Sequence, residues 1–230
     1  GVVVFAAGNE YAAMASYPGA YKDYICVSSL AGDFTPSTYS NYGPGVNIAA
    51  PGGDTDYHCS EKGGILSTLT PVASNGRMYG YMEGTSMACP HVSGLVALGI
   101  SYATRLHKHY DSREFKDLVI NSTRELDSRL TGTKLYHFNW GNVGDICPTL
   151  VDLGKSYRGN MGTGSADALI LLNNIEKSGS EIVLPNVYIA TGASRKINVG
   201  LCFESGPFTA EISGSSVAKA TVSGDYVVVE

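Results

Sequence analysis

Apolar residues over the first fifty positions fall in short unbroken runs. Residues 1–7 (GVVVFAA) stop at Gly8-Asn9, residues 24–30 (YICVSSL) form a second run, and residues 45–50 (GVNIAA) end at Pro51-Gly52-Gly53. A run that does not alternate is buried on both faces, the condition of a strand in a parallel sheet covered by helices. Three such strands are predicted. Residues 53–80, rich in Gly, Asp, Ser and Asn, read as a long excursion with one strand at Ile65–Leu69. Excursions of that length are uncommon in compact domains and often line sites.

From Ser86 to about His109 the period becomes helical, with Ala88, Val92, Leu95, Val96, Leu98 and Tyr102 around a small-residue centre. This helix is expected to be buried on most sides, with Thr85 as its N-cap and Pro90 just inside its start. A second, amphipathic helix is predicted over Ser112–Leu126, opened by Ser112. A third follows the glycine turn of GNMGTGSADALILLNNIE (159–176), and residues 131–160 between them read as irregular. After Lys177-Ser178-Gly179-Ser180 the chain alternates in the β manner (Ile197, Val199, Leu201, Phe203; then Val217, Thr221–Val222 and Tyr226–Val229). The pattern predicts an α/β domain over 1–176 and a β-rich, sandwich-like module over 177–230. Gly1 opens in mid-run and DYVVVE stops in mid-strand, so both ends are expected to be cut through a longer fold.

Composition narrows the function classes. A hydrophobic fraction of 43% in 230 residues supports a real core. The formal charge of −5, free of acidic or basic blocks, offers no electrostatic reason for a nucleic-acid or membrane-surface partner. No apolar run reaches the ~18 residues of a membrane span. A protein, peptide or small substrate fits better, and 28 glycines with 15 tyrosines against 16% charged residues suit a secreted or cell-surface protein. The five cysteines (26, 59, 89, 147 and 202) show no C-x-x-C spacing, so neither a zinc site nor a dithiol motif is predicted. Cys26 and Cys89 read as small buried apolar residues. Cys59 and Cys147, in loop-like stretches, could bridge in an oxidising compartment if the fold brings them together.

The candidate chemistry lies in YMEGTSMACPHVSG (81–94). A hydroxyl in the first turn of a helix, such as that of Ser86, sits at the positive end of the helix dipole beside unpaired backbone N–H groups. Negative charge developing there is stabilised, which is what acyl transfer requires of an oxyanion site. Gly84 withholds a side chain that would obstruct a substrate backbone. Asn9, at the carboxyl end of an apolar strand, could add an uncharged amide donor.

These segments resemble the subtilisin-like serine proteases. GTSMACPHVSG (84–94) is similar to that family's nucleophile motif, and VVVFAAGNE (2–10) to the strand carrying its oxyanion-hole asparagine. YPGAY (17–21), AAPGG (49–53) and the turn in GNMGTGSADA (159–168) follow in the family's order, so the resemblance covers roughly 1–176. It implies a three-layer, subtilisin-like α/β fold around a parallel sheet, here partial. It also implies Ser86 as nucleophile, Asn9 with the Ser86 N–H as oxyanion donors, and Ser16 at the base of the primary specificity pocket. Gly8, Gly84 and Thr85 are the neighbouring substrate-binding positions. A G-x-S-x-G elbow is disfavoured because Ala88 replaces its second glycine.

The family's chain order is Asp, His, Ser, and no D-[ST]-G or H-G-T-H pattern occurs in these residues. His91 lies five residues along the helix and points elsewhere, His107 and His109 fall at its far end, and His58 and His137 read as solvated loop residues. The chain is therefore expected to be a fragment of a serine endopeptidase that lacks the catalytic Asp and His, with the N-terminal half of the domain as its missing partner and little activity alone. The alternative is a non-catalytic cell-surface or interaction protein that keeps the fold. No cofactor and no metal site are predicted. Relatives can hold calcium near the Tyr-Pro-Gly loop, but Gly45 and Asn47 stand here where acids would be wanted, and Asp54 with Asp56 reads as a solvated pair.

Overall fold

The computed structural model describes residues 1–58, 60–72, 76–130, 133–139, 146–152, 157–178, 192–198, 218–224 and 226–230. Its strands, in chain order, are β1 (Val4–Ala6), β2 (Ile25–Leu30), β3 (Ile48–Pro51), β4 (Ile65–Thr68), β5 (Tyr79–Met82), β6 (Thr123–Arg124), β7 (Thr133–Asn139), β8 (Ile146–Asp152), β9 (Ser165–Ala166), β10 (Arg195–Asn198), β11 (Ala220–Ser223) and β12 (Tyr226–Val229). The helices are α1 (Thr55–His58), α2 (Thr85–Arg105), α3 (Ser112–Ile120) and α4 (Ala168–Lys177). Two compact units result, Gly1–Ile100 with Tyr110–Ile175, and Ser101–His109 with Glu176–Glu230.

In the first unit a five-stranded sheet runs in the order β1-β2-β3-β9-β6. The pairs from β1 to β9 are parallel, with Val4 opposite Ile25, Val27 opposite Ile48 and Ala49 opposite Ser165, and β6 is antiparallel to β9. The three apolar runs thus form three adjacent parallel strands of an α/β fold. All six residues of β2 are buried, as a strand covered on both faces demands. Its Ser29 is tolerated there because Oγ bonds the Ser37 hydroxyl at 2.7 Å and the Tyr39 hydroxyl at 2.9 Å. Leu30 and Ala49 pack against Leu126, Leu130, Tyr157 and Met161, while Cys26 packs with Ala7 and Ala15. Phe115 and Val119 of α3 and Leu171 and Ile175 of α4 supply the buried faces of those helices.

Several expectations are corrected. The excursion after Pro51 contains the expected strand as β4, but also α1, a 3-10 turn at Glu61–Gly63 and a second strand, β5, that pairs antiparallel with β4, Ile65 opposite Met82. Residues 131–160 are not irregular throughout, since β7 and β8 form an antiparallel ladder from Thr133 opposite Asp152 to Asn139 opposite Ile146. Its partner strand, not its own period, decides that pairing. Helix α3 is shorter than predicted and is opened by Asp111, not Ser112. The Asp111 carboxylate accepts the Arg113 and Glu114 N–H groups, and Glu114 in turn accepts the Asp111 N–H. Helix α2 is not buried on most sides, since Leu98 is 47% and Ile100 43% exposed.

Asp54 is not solvated. Its carboxylate is fully buried and lies 3.3 Å from the Lys134 ammonium, itself 1% exposed. Thr38 donates its N–H (2.7 Å) and hydroxyl (3.0 Å) to the same carboxylate, and Lys134 donates to Thr35 Oγ1 (2.9 Å) and the Pro36 carbonyl (2.7 Å). A charge is held inside a protein only when paired and hydrogen-bonded in this way.

In the second unit β12 pairs antiparallel with β10 and β11. The rest of the predicted β pattern between residues 199 and 217 lies outside the described residues, as does a Cys59–Cys147 bridge. Cys26 and Cys89 are free thiols, Cys26 buried and Cys89 partly so.

Candidate active site

The loop that leaves β1 is organised by a residue some thirty positions downstream. Asn41, itself buried, accepts the N–H groups of Glu10 (3.1 Å) and Ala12 (2.8 Å) on Oδ1. Its Nδ2 donates to the Ala7 carbonyl (3.0 Å), Glu10 Oε2 (2.8 Å) and Ser16 Oγ (3.2 Å), and its backbone N–H donates to the Gly8 carbonyl (3.0 Å). Asn9 is therefore bracketed on both sides by bonds to one carboxamide. Gly8 turns the chain off the strand at φ +107°, and a Cβ there would lie 2.4 Å from Asn41 Nδ2 and 2.7 Å from Ser16 Oγ, so no larger residue fits.

The start of α2 docks onto this loop. The Gly84 N–H donates to the Gly52 carbonyl (3.0 Å), and the Gly84 carbonyl accepts the Met87 and Ala88 N–H groups (2.9 and 3.2 Å). Gly52 is fixed in turn by the Tyr39 hydroxyl, which donates to its carbonyl at 3.0 Å; burial pushes that phenol up to about 12. Thr85 is buried but does not cap the helix as expected. Its hydroxyl donates to Asn9 Oδ1 (2.8 Å) and accepts the Gly8 N–H (3.2 Å), while its own N–H also donates to Asn9 Oδ1 (2.8 Å). The helix's first N–H is satisfied by an asparagine 76 residues away instead.

With Asn9 Oδ1 committed to Thr85, Nδ2 is the end of the amide left to face elsewhere. Gly84, at φ +144°, opens the space beside it. The point where a Cβ would stand is 3.5 Å from Asn9 Nδ2, 3.6 Å from the Ser86 backbone nitrogen and 3.7 Å from Met87 Sδ. Two nitrogen atoms that can donate thus lie within 3.6 Å of that point, at the positive end of a 21-residue helix. Ser86 is exposed there, and no described residue hydrogen-bonds its Oγ.

The remaining candidates are placed as follows. Ser16 is half-buried beside Gly8, its N–H on the Ala7 carbonyl at 2.8 Å and its Oγ on Asn41. His91 is exposed, with Nδ1 2.8 Å from the Met87 carbonyl of its own helix, so it does not serve Ser86. His58 ends α1. Asn47, where an acid was sought, accepts the Cys26 N–H at 2.7 Å. Asn41 was missed by sequence reasoning; it has no periodicity signal, and the only hint was SNYG (40–43), a polar stretch between two buried strands. Thr85 was named as a cap and a substrate-binding position, and its bond to Asn9 was not foreseen.

Residues 1–143 match the profile of the subtilase family, peptidase S8. The chain is similar to the extracellular basic protease of Dichelobacter nodosus, with 36% identity over 135 residues, 56% of this chain and 20% of that protein. It is similar to the thermophilic serine proteinase of Bacillus sp. strain AK1, with 41% identity over 142 residues, 62% of this chain and 29% of that protein. The chain spans between a fifth and a third of the length of these curated relatives. Among solved structures, a protease from Pseudoalteromonas arctica PAMC 21717 matches with a TM-score of 0.53 and 27% identity, covering 76% of this chain and 42% of that one. The family match covers more than half of the chain, and the chain belongs to the subtilase family of serine proteases.

Proposed function

We propose that this chain is the nucleophile-bearing part of the peptidase domain of a secreted serine endopeptidase, covering residues 1–176, with residues 177–230 beginning a β-rich module. The carrying observation is the Thr85–Asn9 contact, which leaves Asn9 Nδ2 and the Ser86 N–H on either side of the open position at Gly84. Ser86 Oγ attacks the carbonyl carbon of a peptide bond and its proton passes to a base. The carbonyl oxygen, now negative, takes the position between the two donors. Collapse releases the amine, protonated by the same base, and leaves an ester on Ser86 that water hydrolyses by the reverse sequence.

The base and its carboxylate come from outside these residues. Three observations support this: no triad motif for either occurs in the sequence, β1 has only β2 as a neighbour among the described residues, and Leu98 and Ile100 stand exposed on α2. The substrate is a protein or peptide, with Gly8, Ser16, Gly84 and Thr85 on its acyl side. A secreted location is supported by the extracellular names of relatives from Dichelobacter nodosus and Xanthomonas campestris, although the Bacillus subtilis relative is named intracellular.

A fluorophosphonate probe tests the reading. The full-length protein is expected to be labelled rapidly and stoichiometrically at Ser86, and Ser86→Ala to abolish labelling, whereas the 230-residue chain alone reacts slowly. Rapid labelling of the isolated chain would remove the need for outside residues, and labelling at another serine would remove Ser86 from its role.

A further inference from the structure

Tyr39, half-buried in the connection between β2 and β3, reaches both halves of the candidate oxyanion position. Its backbone carbonyl accepts the Tyr11 N–H at 2.9 Å, two residues beyond Asn9. At the other end of the residue its hydroxyl lies 3.0 Å from the Gly52 carbonyl oxygen, and that oxygen also accepts the Gly84 N–H at 3.0 Å. Gly84 leads directly into Thr85 and Ser86. One residue thus spans from the loop that carries Asn9 to the turn that carries the Ser86 N–H.

The hydroxyl's own partners decide where its proton goes. A phenol has one proton, and two carbonyl oxygens stand within reach, Gly52 at 3.0 Å and Gly53 at 2.7 Å. The Gly53 oxygen already receives the Ser37 hydroxyl at 2.7 Å, which frees the Tyr39 proton for Gly52. Ser29 Oγ, 2.9 Å from the Tyr39 hydroxyl and 2.7 Å from Ser37 Oγ, is left to donate to one of these two oxygens. Ser29 and Ser37 are fully buried, so water does not replace either partner.

The turn at Gly52 transmits its position to the turn at Gly84. The Gly52 and Gly53 N–H groups both donate to the Leu30 carbonyl, at 3.0 and 3.2 Å, which fixes the turn to the end of β2. A Cβ on Gly52 would stand 2.1 Å from Ser29 Oγ and 2.6 Å from the Gly84 carbonyl oxygen. The two turns are therefore in direct contact, with the hydroxyl cluster packed behind them. A shift of the Gly52 carbonyl moves the start of α2.

We propose that Tyr39 is a positioning residue for the oxyanion site: its hydroxyl, through the Gly52 carbonyl, sets where the Ser86 N–H stands relative to Asn9 Nδ2. The inference rests on the proposed protease reading. It is distinct from the role of Asn41, whose bonds hold only the Asn9 side. Without the hydroxyl both donors remain, but one is free to move off the oxygen. That misalignment costs most where the oxygen carries most charge, so the loss falls on kcat and spares KM.

Hydrolysis of a chromogenic peptide anilide by the full-length protein tests this, with active sites counted by fluorophosphonate titration so that misfolded molecules drop out of kcat. Tyr39→Phe keeps the ring and the backbone bond to Tyr11 and deletes only the hydroxyl. It is expected to lower kcat per titrated site by about tenfold, below the ~100-fold that a misplacement of about 1 Å can cost, with KM nearly unchanged. Ser37→Ala leaves the Gly53 oxygen to compete for the Tyr39 proton and is expected to lower kcat by about threefold, the low end for one hydrogen bond. The double variant is expected to lose no more than Tyr39→Phe alone, because Ser37 acts through that hydroxyl. Residues that only stabilised the fold would reduce the number of titrated sites and leave kcat per site intact. That result in Tyr39→Phe overturns the inference, as does a loss carried by KM or a double variant in which the two losses multiply. A wild type that neither cleaves the anilide nor takes the label overturns the protease reading and this inference with it.

Discussion

Asn9 accepts two hydrogen bonds from one residue: the N–H and the hydroxyl of Thr85 both reach its Oδ1 at 2.8 Å. This fixes which end of the carboxamide faces Ser86. Asn9→Asp keeps the acceptor and replaces the donor by an oxygen. On the proposed reading, it is expected in the full-length protein to lower kcat by about 10²–10³-fold, a magnitude carried over from the type case of subtilisin, with KM nearly unchanged. A KM effect of equal size would mean that Asn9 binds substrate in the ground state.

Asn41 acts one step removed. Asn41→Leu deletes five side-chain hydrogen bonds around the Asn9 loop and leaves the buried Ala7 carbonyl and Ala12 N–H without that partner. Each unsatisfied buried group costs about 1–3 kcal/mol, so denaturant unfolding is expected to show a loss of at least ~2 kcal/mol. A fall in kcat is expected alongside it, since the loop carries Asn9. Unchanged stability would show that the loop rearranges freely.

Lys134 offers a test of the buried pair. Lys134→Met strands the Asp54 carboxylate and is expected to destabilise by about 3–5 kcal/mol. The double variant Lys134→Met/Asp54→Leu removes both charges and is expected to recover part of that loss. If the single variant costs under ~1 kcal/mol, the ammonium and carboxylate are not desolvated together in solution.

Asp167 provides a pH signature. Its carboxyl is held below the usual range first by the Ile170 N–H, which donates to Oδ1 at 3.0 Å, and then by Arg124, 2.7 Å from Oδ2. A depressed folded-state pKa means the stabilisation is complete above the unfolded value near ~3.9 and is lost as pH falls through the folded value. Asp167→Ala is expected to cost about 1 kcal/mol at neutral pH, with the gap from wild type closing in acid. Urea titrations at neutral pH and near pH ~3 read both ends, and a pH-independent gap would assign the loss to packing.

The sheet was legible in the sequence because a strand buried on both faces must be apolar at every position, and three runs satisfy that without reference to anything distant. The start of α2 was legible for a similar reason: small residues after Gly-Thr-Ser mark a helix end with unpaired N–H groups. The motif order also indicated the candidate pair, Ser86 and Asn9. Helix α3's true cap was misplaced by one residue, since Ser112 and Asp111 are both good caps and only their bonds separate them.

Tertiary structure decided the rest. Whether Asp54 lies in water or inside depends on Lys134, far along the chain, and no local pattern links the two. The ladder of β7 and β8 exists because each strand finds the other, which their separate residue patterns do not specify. Asn41, Thr85 and Gly52 acquire their roles through hydrogen bonds that span from 13 to 77 residues. Local sequence dictates which residues must leave water. Which polar groups meet once they have left is settled by the folded chain, because a buried donor is tolerated only where an acceptor from elsewhere has arrived beside it.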